Sequence, residues 1–453
     1  MPAPALPKHA LPAPGERPRG PSAACAPGAC AEAAGEDGGP PLILFGAFDR
    51  HNLGDLLLGR IAAALAARLA PGRPLLWAGL AEHDLRAAGG ARVRRLDAIA
   101  DRIRHRHRLQ PARPAPDLLQ VGGEILGCGA WEAAVMLARP AQAEALIAAH
   151  DRDLGGRDAW ARHHLGIARH LPYLAPTTLF PPGLRIAHAG SGGVGFAHLP
   201  AAWREEAIAA LRGAAVLHVR DRDSRRALAA AGIDARLAPD PAVLVARVLG
   251  SEIAREAERG AAARVSARFP GGWIAAQLGA EFGDDLSLAA LAAALDRLQR
   301  DTGWGVVLFC AGRAPWHDSP EVLHRLRARL QASGHCIVAT TRHVLQLCAL
   351  IAGARLCLAS SLHVRIVAEA FARPAASLVQ GSAQGEKVRA YVRSWHRHAA
   401  HLGVLDTPPA SAVVHAAHEA LAEPAATRDR RAARLAARAE VAARRCFAAL
   451  ARD

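Results

Sequence analysis

RIAHAGSGGVG (Arg185–Gly195), AAWREEAIAALRG (Ala201–Gly213), AVLHVRD (Ala215–Asp221), DSRRALAAAG (Asp223–Gly232) and DARLAPDPA (Asp234–Ala242) follow one another in the middle of the chain. The first, third and fifth are apolar runs that read as strands, the first entering a Gly-rich loop. The second and fourth carry helical spacing. Alternation of this kind is the signature of a parallel sheet with helices packed on both faces.

The same rhythm extends outward in both directions. Towards the N-terminus, LILFGAF (Leu42–Phe48) reads as a buried strand, DRHNLGD (Asp49–Asp55) as a polar turn and LLLGRIAAALAARLA (Leu56–Ala70) as a helix. PLLWAGL (Pro74–Leu80) is a further strand. DLLQVGGEIL (Asp117–Leu126) is a strand running into a Gly-Gly turn. Towards the C-terminus the alternation restarts with GWIAAQLGA (Gly272–Ala280) and continues through GVVLFCAG (Gly305–Gly312), HCIVAT (His335–Thr340), RLCLASS (Arg355–Ser361) and AASLV (Ala375–Val379). The reading is therefore α/β, with two Rossmann-like parallel-sheet domains facing a cleft. Ligands of such sheets lie outside the carboxyl ends of the strands, which puts a site between the two domains. The expected boundaries are a disordered Pro/Ala/Gly-rich leader at 1–40, a first domain at 41–248 and a charged linker at 249–268. A second domain at 269–400 and a helical tail at 401–453 complete the chain.

The bulk composition agrees with an enzyme-sized globular protein. The 453 residues are 51% hydrophobic but only 4% aromatic, so packing rests on aliphatic layers. Net charge is +15, carried almost entirely by arginine; Lys8 and Lys387 are the lysines. The basic balance reads as compositional background with a modest pull towards anionic ligands. Basic residues are dispersed and aromatics too scarce to form stacking platforms, which argues against nucleic acid as a partner. The eight cysteines show no CxxC pair and no zinc spacing, and several stand in apolar runs. No metal is expected, and a reducing compartment is. The N-terminus lacks a continuous apolar h-region, so the expected location is the cytoplasm. The Arg-rich tail reads as a solvated basic helix, with peripheral contact to an anionic membrane surface as the sharper alternative.

Six short motifs are candidates for chemistry. In HNLGD, Asp55 stands near a helix start, either capping its amides or acting as a base on an acceptor. In VGGEILG, Gly122 and Gly123 allow a tight bend that aims Glu124 above the sheet; a purely structural turn is the alternative. HAGSGGVG, with His188, resembles a phosphate cradle but lacks the P-loop lysine and the dinucleotide fingerprint. In HVRDRDS, Arg220 falls where a strand ends, suited to gripping a carboxylate or phosphate or to pairing with Asp221 as a strut. In ASSLHVRIVAEAFARP, Ser361, Leu362, His363 and Arg365 open a helix. Its free amides, imidazole and guanidinium can converge on one anion, or a serine simply caps beside an incidental histidine. In GEKVRAYV, Lys387 is a lone internal ammonium.

Taken in order, HNLGD, DLLQVGGEIL, HVRDRDS with the following DPA, SLHVRIVAEAFARP and EKVRAYV resemble the layout of polysaccharide pyruvyl transferases across roughly residues 42–395. That resemblance implies a GT-B-like fold and transfer of the enolpyruvyl group of phosphoenolpyruvate to a saccharide hydroxyl as a ketal, in cell-surface or exopolysaccharide biosynthesis. The partners it implies are phosphoenolpyruvate as co-substrate, with no cofactor, and a saccharide acceptor, free or lipid-linked. Carried over by position, Arg220 and His363 bind the donor, His363 doubles as general acid, and His188 lies where some members add a donor contact. Asp55 or Glu124 serves as base. The family arginine before Leu-His is Ser361 here, a departure for which Arg365 is the nearest substitute. A GT-B glycosyltransferase using a sugar nucleotide is the main alternative, and a non-catalytic relative acting as a binding component is the other.

Overall fold

The computed structural model describes residues 39–379, 383–396, 402–404 and 410–451. The leader expected over 1–40 lies outside the described residues except for its last two. Among the described residues the first lobe is built on β1 (Leu42–Phe45), β2 (Leu75–Gly79), β3 (His83–Asp84), β4 (Arg92–Arg95) and β5 (Asp117–Gln120). It continues with β6 (Gly123–Glu124), β7 (Arg185–Gly192), β8 (Ala214–Val219) and β9 (Arg236–Leu237). The order is β3-β4-β2-β1-β5-β7-β8-β9, with β6 also paired to β7. Neighbours are parallel apart from the short β3–β4 pair.

The second lobe holds β10 (Trp273–Gln277), β11 (Gly305–Phe309), β12 (Cys336–Ala339), β13 (Leu356–Ala359), β14 (Ala375–Val379) and β15 (Leu402–Val404). Their order is β12-β11-β10-β13-β14-β15, parallel throughout. Strands β1, β5, β10 and β11 are buried at every position, which is why they lack the apolar–polar alternation of a half-exposed strand; Asp117, Gln120 and Gln277 at their ends are buried with them.

Strand order fixes where a ligand fits. In the first lobe the chain moves from β1 to β2 on one side and later returns to β5 on the other. In the second it moves from β10 to β11, then returns to β13. Loops leaving neighbouring strands in opposite directions cannot fill the space between them, so a crevice forms at each such point. The residues that follow β1, β5, β10 and β13 all line one cleft between the lobes.

The lobes are joined by a shared core. Leu53, Leu57 and Ile61 of the helix Leu53–Leu69 lie in one buried cluster with Val344, Leu347, Val364 and Val367 of the second lobe. Burying one such leucine or valine fully is worth about 1.5–3 kcal/mol. Backbone bonds add to it: Leu53 N–H donates to the Ala311 carbonyl at 2.7 Å, and Arg313 N–H donates to the His51 carbonyl at 3.0 Å.

Several boundaries differ from the sequence reading. The stretch 249–268 is two helices, Gly250–Ala257 and Gly260–Arg268, that bury Ile253, Ala262 and Val265 and pack on the helix Val344–Gly353. Its few apolar residues are diluted among charges, which hides the buried face. The second sheet continues past 400 into β15, and the helix Ala410–Ala422 packs on the helix Asp285–Thr302. The basic tail is not simply solvated. After Pro424, the helix Ala425–Ala449 crosses back to the first lobe, burying Leu435, Ala439, Cys446 and Phe447 against β7, β8 and the second-lobe helix Leu362–Ala370. Arg73 and Arg185 donate to the Leu450 carbonyl at its end. The apolar stripe that an interfacial helix would insert into lipid is thus spent on protein. Among the described residues no helix is long and apolar enough to cross a membrane.

Candidate functional site

The turn after β1 is held from below. Asp49 is fully buried and accepts from the amides of Leu80 at 2.6 Å and Ala81 at 3.1 Å. The adjacent Arg50 donates to the Tyr173 hydroxyl at 2.5 Å and pairs with Asp55 at 3.4 Å. The cap of the following helix is Asn52, whose side chain accepts from Gly54 and Asp55 amides at 2.9 and 3.2 Å. Asp55 is therefore released from capping and lines the cleft.

The turn after β5 works as its two glycines suggest. Gly122 and Gly123 have φ of 106° and 90°, in the left-handed region that side chains avoid, and a Cβ at Gly122 would press on the Ala189 carbonyl. The bend delivers Glu124 to the cleft wall, where its Oε2 meets Arg220 at 2.6 Å and its Oε1 accepts from Val194 N–H at 2.9 Å.

Arg220 is only 3% exposed and carries a second carboxylate partner, Asp240, at 3.1 Å. Its carbonyl accepts from the Trp395 indole of the second lobe at 2.8 Å. The guanidinium charge is thus matched by Glu124 and Asp240, so Arg220 acts first as a buried strut. Burial pushes the Asp240 carboxyl up, but the neighbouring His363 and Arg220 outweigh it and hold the group down at about 2.

His363 arrives from the other lobe. It stands on the first turn of the helix Leu362–Ala370, with Nε2 at 3.5 Å from Asp240. That distance is longer than a well-formed hydrogen bond, so the imidazole faces a carboxylate yet keeps capacity for another partner. Ser361 caps this helix, accepting from Val364 N–H at 3.5 Å, while its own amide donates to Gln277 at 2.8 Å. Ser360 accepts from Gly279 N–H at 2.8 Å. Lys387 and Arg393, on the helix Ala383–Trp395, close this wall, and Arg393 ties it to the first lobe through Asp223 at 2.7 Å.

Of the residues singled out in the sequence, Asp55, Glu124, Arg220, Ser361, Leu362, His363 and Lys387 line the same cleft, whose volume is about 810 Å³. That volume falls within the range of small-molecule binding sites. Gly122 and Gly123 shape the cleft wall without lining it. Two residues go elsewhere. Arg365 points into the second-lobe core, pairing with Glu369 at 2.7 Å and donating to Ser377 at 3.0 Å, so it cannot stand in for a missing arginine before Leu-His. One helical residue sits roughly 100° from the next, which turns position 365 away from the face carrying 363. His188 is buried beneath the tail helix, 3.3 Å from Ser191, with its carbonyl facing Cys446; burial pushes it down to about 4. HAGSGGVG, which resembles a phosphate cradle without its full fingerprint, is strand as far as Gly192, where β7 pairs with β6 and β8.

Sequence reasoning also missed lining residues. Arg50 sat inside the quoted DRHNLGD turn but carried no family signal. Trp316, His317 and Asp318 follow β11 and line the cleft; the carboxyl end of that strand was the available clue. Burial pushes Asp318 up to about 7, although it accepts from Ala311 N–H at 2.5 Å and Gln277 at 2.8 Å.

Two parallel α/β lobes with a polar, charged cleft between their switch points define a GT-B-like protein, the architecture of many sugar-modifying enzymes. A UDP-GlcNAc 2-epimerase from Methanocaldococcus jannaschii superposes with a TM-score of 0.51 at 11% identity, covering 84% of this chain and 92% of that one. The Neisseria meningitidis UDP-GlcNAc 2-epimerase bound to UDP-GlcNAc gives 0.49 at 11% identity, covering 87% and 94%. The E. coli ADP-heptose LPS heptosyltransferase II gives 0.36 at 14% identity, covering 88% and 99%. The family model for polysaccharide pyruvyl transferase matches residues 52–382, and the chain belongs to that family. The comparison with curated proteins gives no match.

Proposed function

We propose that this chain transfers the enolpyruvyl carbon skeleton of phosphoenolpyruvate to a saccharide as a cyclic pyruvate ketal, in the assembly of a cell-surface or exported polysaccharide. The observation that carries the reading is the meeting of His363 from one lobe with Asp55, Glu124 and Arg220 from the other on a single cleft, with the buried Asp240 behind Arg220 and His363.

An acid delivers a proton to the donor's methylene carbon, and a sugar hydroxyl adds to the adjacent carbon as it loses its own proton. Phosphate then leaves with the C–O electron pair. A second hydroxyl closes the ring, and its proton leaves with the phosphate. His363 is suited to the acid and phosphate-holding role, since it stands at a helix N-terminus where amides favour an anion. Both oxygens of Glu124 are occupied, by Arg220 and Val194, so the base role falls to Asp55. With Arg220 matched by Glu124 and Asp240, and Arg50 by Asp49 and Asp55, the donor's negative charge is met by His363 and Lys387. The reaction needs phosphoenolpyruvate as co-substrate and no resident cofactor. Positioned acid–base groups typically contribute about 10²–10⁴-fold each.

Calorimetric titration with phosphoenolpyruvate, beside UDP- and ADP-sugars, tests the reading. Binding of phosphoenolpyruvate that is lost in His363→Ala is expected. Binding of a nucleotide sugar with none of phosphoenolpyruvate overturns it in favour of glycosyl transfer.

A further inference from the structure

We propose that Trp316 is the platform on which the acceptor lies, with a hexopyranosyl unit stacked by its C–H face on the exposed indole at the cleft. The proposal deepens the reading above in that it treats the saccharide as the acceptor of that reaction.

The eight tryptophans of the chain all fall within the described residues, and Trp316 is the one that stands exposed, at 40%. Trp131, Trp273 and Trp395 are buried in the cores. Trp316 also lines the cleft. A tryptophan left 40% exposed on a cleft wall presents apolar surface that the cores do not use, and the C–H face of a pyranose is a natural complement to an indole.

The backbone holds the ring there at a cost. Trp316 has φ of 63°, a conformation rare for bulky residues; among the described residues Ala372 is the other non-glycine at positive φ. The surrounding loop is tied down so that this conformation persists. The Asp318 carboxylate accepts from Ala311 N–H, Ala280 N–H donates to the His317 carbonyl at 2.8 Å, and His317 N–H donates to the Ala314 carbonyl at 3.1 Å. Strain kept in place by surrounding bonds is characteristic of sites that need a side chain aimed.

The ring is also braced across the cleft. Trp131 of the first lobe meets it edge-on, with centroids 6.4 Å apart and planes at 63°, and Trp160 backs Trp131 in turn at 5.9 Å. The contact is T-shaped rather than stacked, so it steadies the indole without a parallel ring laid over it. Glu132 and His317, the chain neighbours of the two tryptophans, line the cleft and offer polar atoms to sugar hydroxyls. A platform with hydrogen-bonding groups beside it is what a pyranose requires, whereas a mere gasket between lobes would be buried.

The test uses the full-length protein and immobilised hexopyranosyl oligosaccharides, with phosphoenolpyruvate calorimetry run in parallel. Wild type is expected to retain a subset of the panel, and Trp316→Phe to keep it within about threefold. Trp316→Ala is expected to lose at least about tenfold in affinity, the equivalent of roughly 1.4 kcal/mol. Trp316→Gly relieves the backbone strain and so keeps the loop folded, yet is expected to bind saccharide no better than the alanine variant. Phosphoenolpyruvate affinity is expected to be the same in all four proteins. Retention by the alanine and glycine variants equal to that of wild type, or retention of no saccharide by wild type, overturns the proposal. Saccharide binding that depends on Trp316 in a protein that ignores phosphoenolpyruvate leaves the platform standing and sinks the donor assignment instead.

Discussion

The imidazole of His363 occupies the space that a side chain at Gly54 would fill: a Cβ built on Gly54 collides with its Nδ1. The glycine of HNLGD and the histidine of SLHVRIVAEAFARP, more than 300 residues apart, are therefore two halves of one contact between the lobes. The glycine is required for what it lacks.

Gly54→Ala should accordingly fold, because helix residues accept alanine, but should displace the imidazole. The expected result is a loss of kcat on the order of 10²-fold, the effect of a shift of about 1 Å in a catalytic group. Far-UV circular dichroism and phosphate-release kinetics check it. Full activity in this variant would remove His363 from the reaction.

Asp55→Asn keeps the size of the group and removes its basicity. We expect kcat to fall about 10²–10⁴-fold with phosphoenolpyruvate affinity little changed, whereas Glu124→Gln should act mainly through stability, by removing one of the two carboxylates that match Arg220. Single-turnover phosphate release with a confirmed acceptor separates the two.

Arg220→Met leaves Glu124 and Asp240 without their shared counter-charge. Breaking a buried pair costs roughly 3–5 kcal/mol, measurable as a shift in the denaturant midpoint. The pH dependence has a definite sign. Asp240 is held down at about 2 in the fold, against about 3.9 in an unfolded chain, so its stabilisation is present above the unfolded value and is lost as pH falls through the folded one. The penalty for losing Arg220 should therefore be largest near neutrality and shrink below about pH 4 as the carboxyls protonate.

Asp318 has the opposite sign. Its carboxyl is pushed up to about 7 by burial, so the stability it lends is complete at acid pH and is lost as pH rises through about 7. Wild type should weaken between pH 5 and 8, and Asp318→Asn should flatten that slope. Urea unfolding at the two pH values is the check; an unchanged slope would show that the carboxylate is ionised throughout.

Phe447 tests the role of the tail. It is 7% exposed and packed into the core that the lobes share, so Phe447→Ala should cost about 3–5 kcal/mol, far more than a surface-helix substitution. Thermal unfolding with a drop of less than a degree would mean that the helix is an appendage.

What the sequence determined by itself is the kind of fold and the family. Strand–helix alternation is local: the runs LILF, DLLQ, WIAAQ and GVVLF show no apolar–polar alternation because each is covered on both faces, and that can be read without knowing the neighbours. The order of HNLGD, VGGE, RD-S, DPA and LH is likewise one-dimensional. Tertiary structure alone decided what each group is free to do. Arg220 has its charge spent because β5 and the Asp240 turn bring two carboxylates to it. Arg365 faces inward because the helical repeat rotates it off the cleft. Trp316 stands bare because a tied loop forces it into a left-handed conformation. The fate of the basic tail was also invisible, since its first-lobe partners, β7 and β8, lie more than two hundred residues earlier in the chain. Pairing, burial and exposure are properties of where distant segments meet, and no local pattern encodes them.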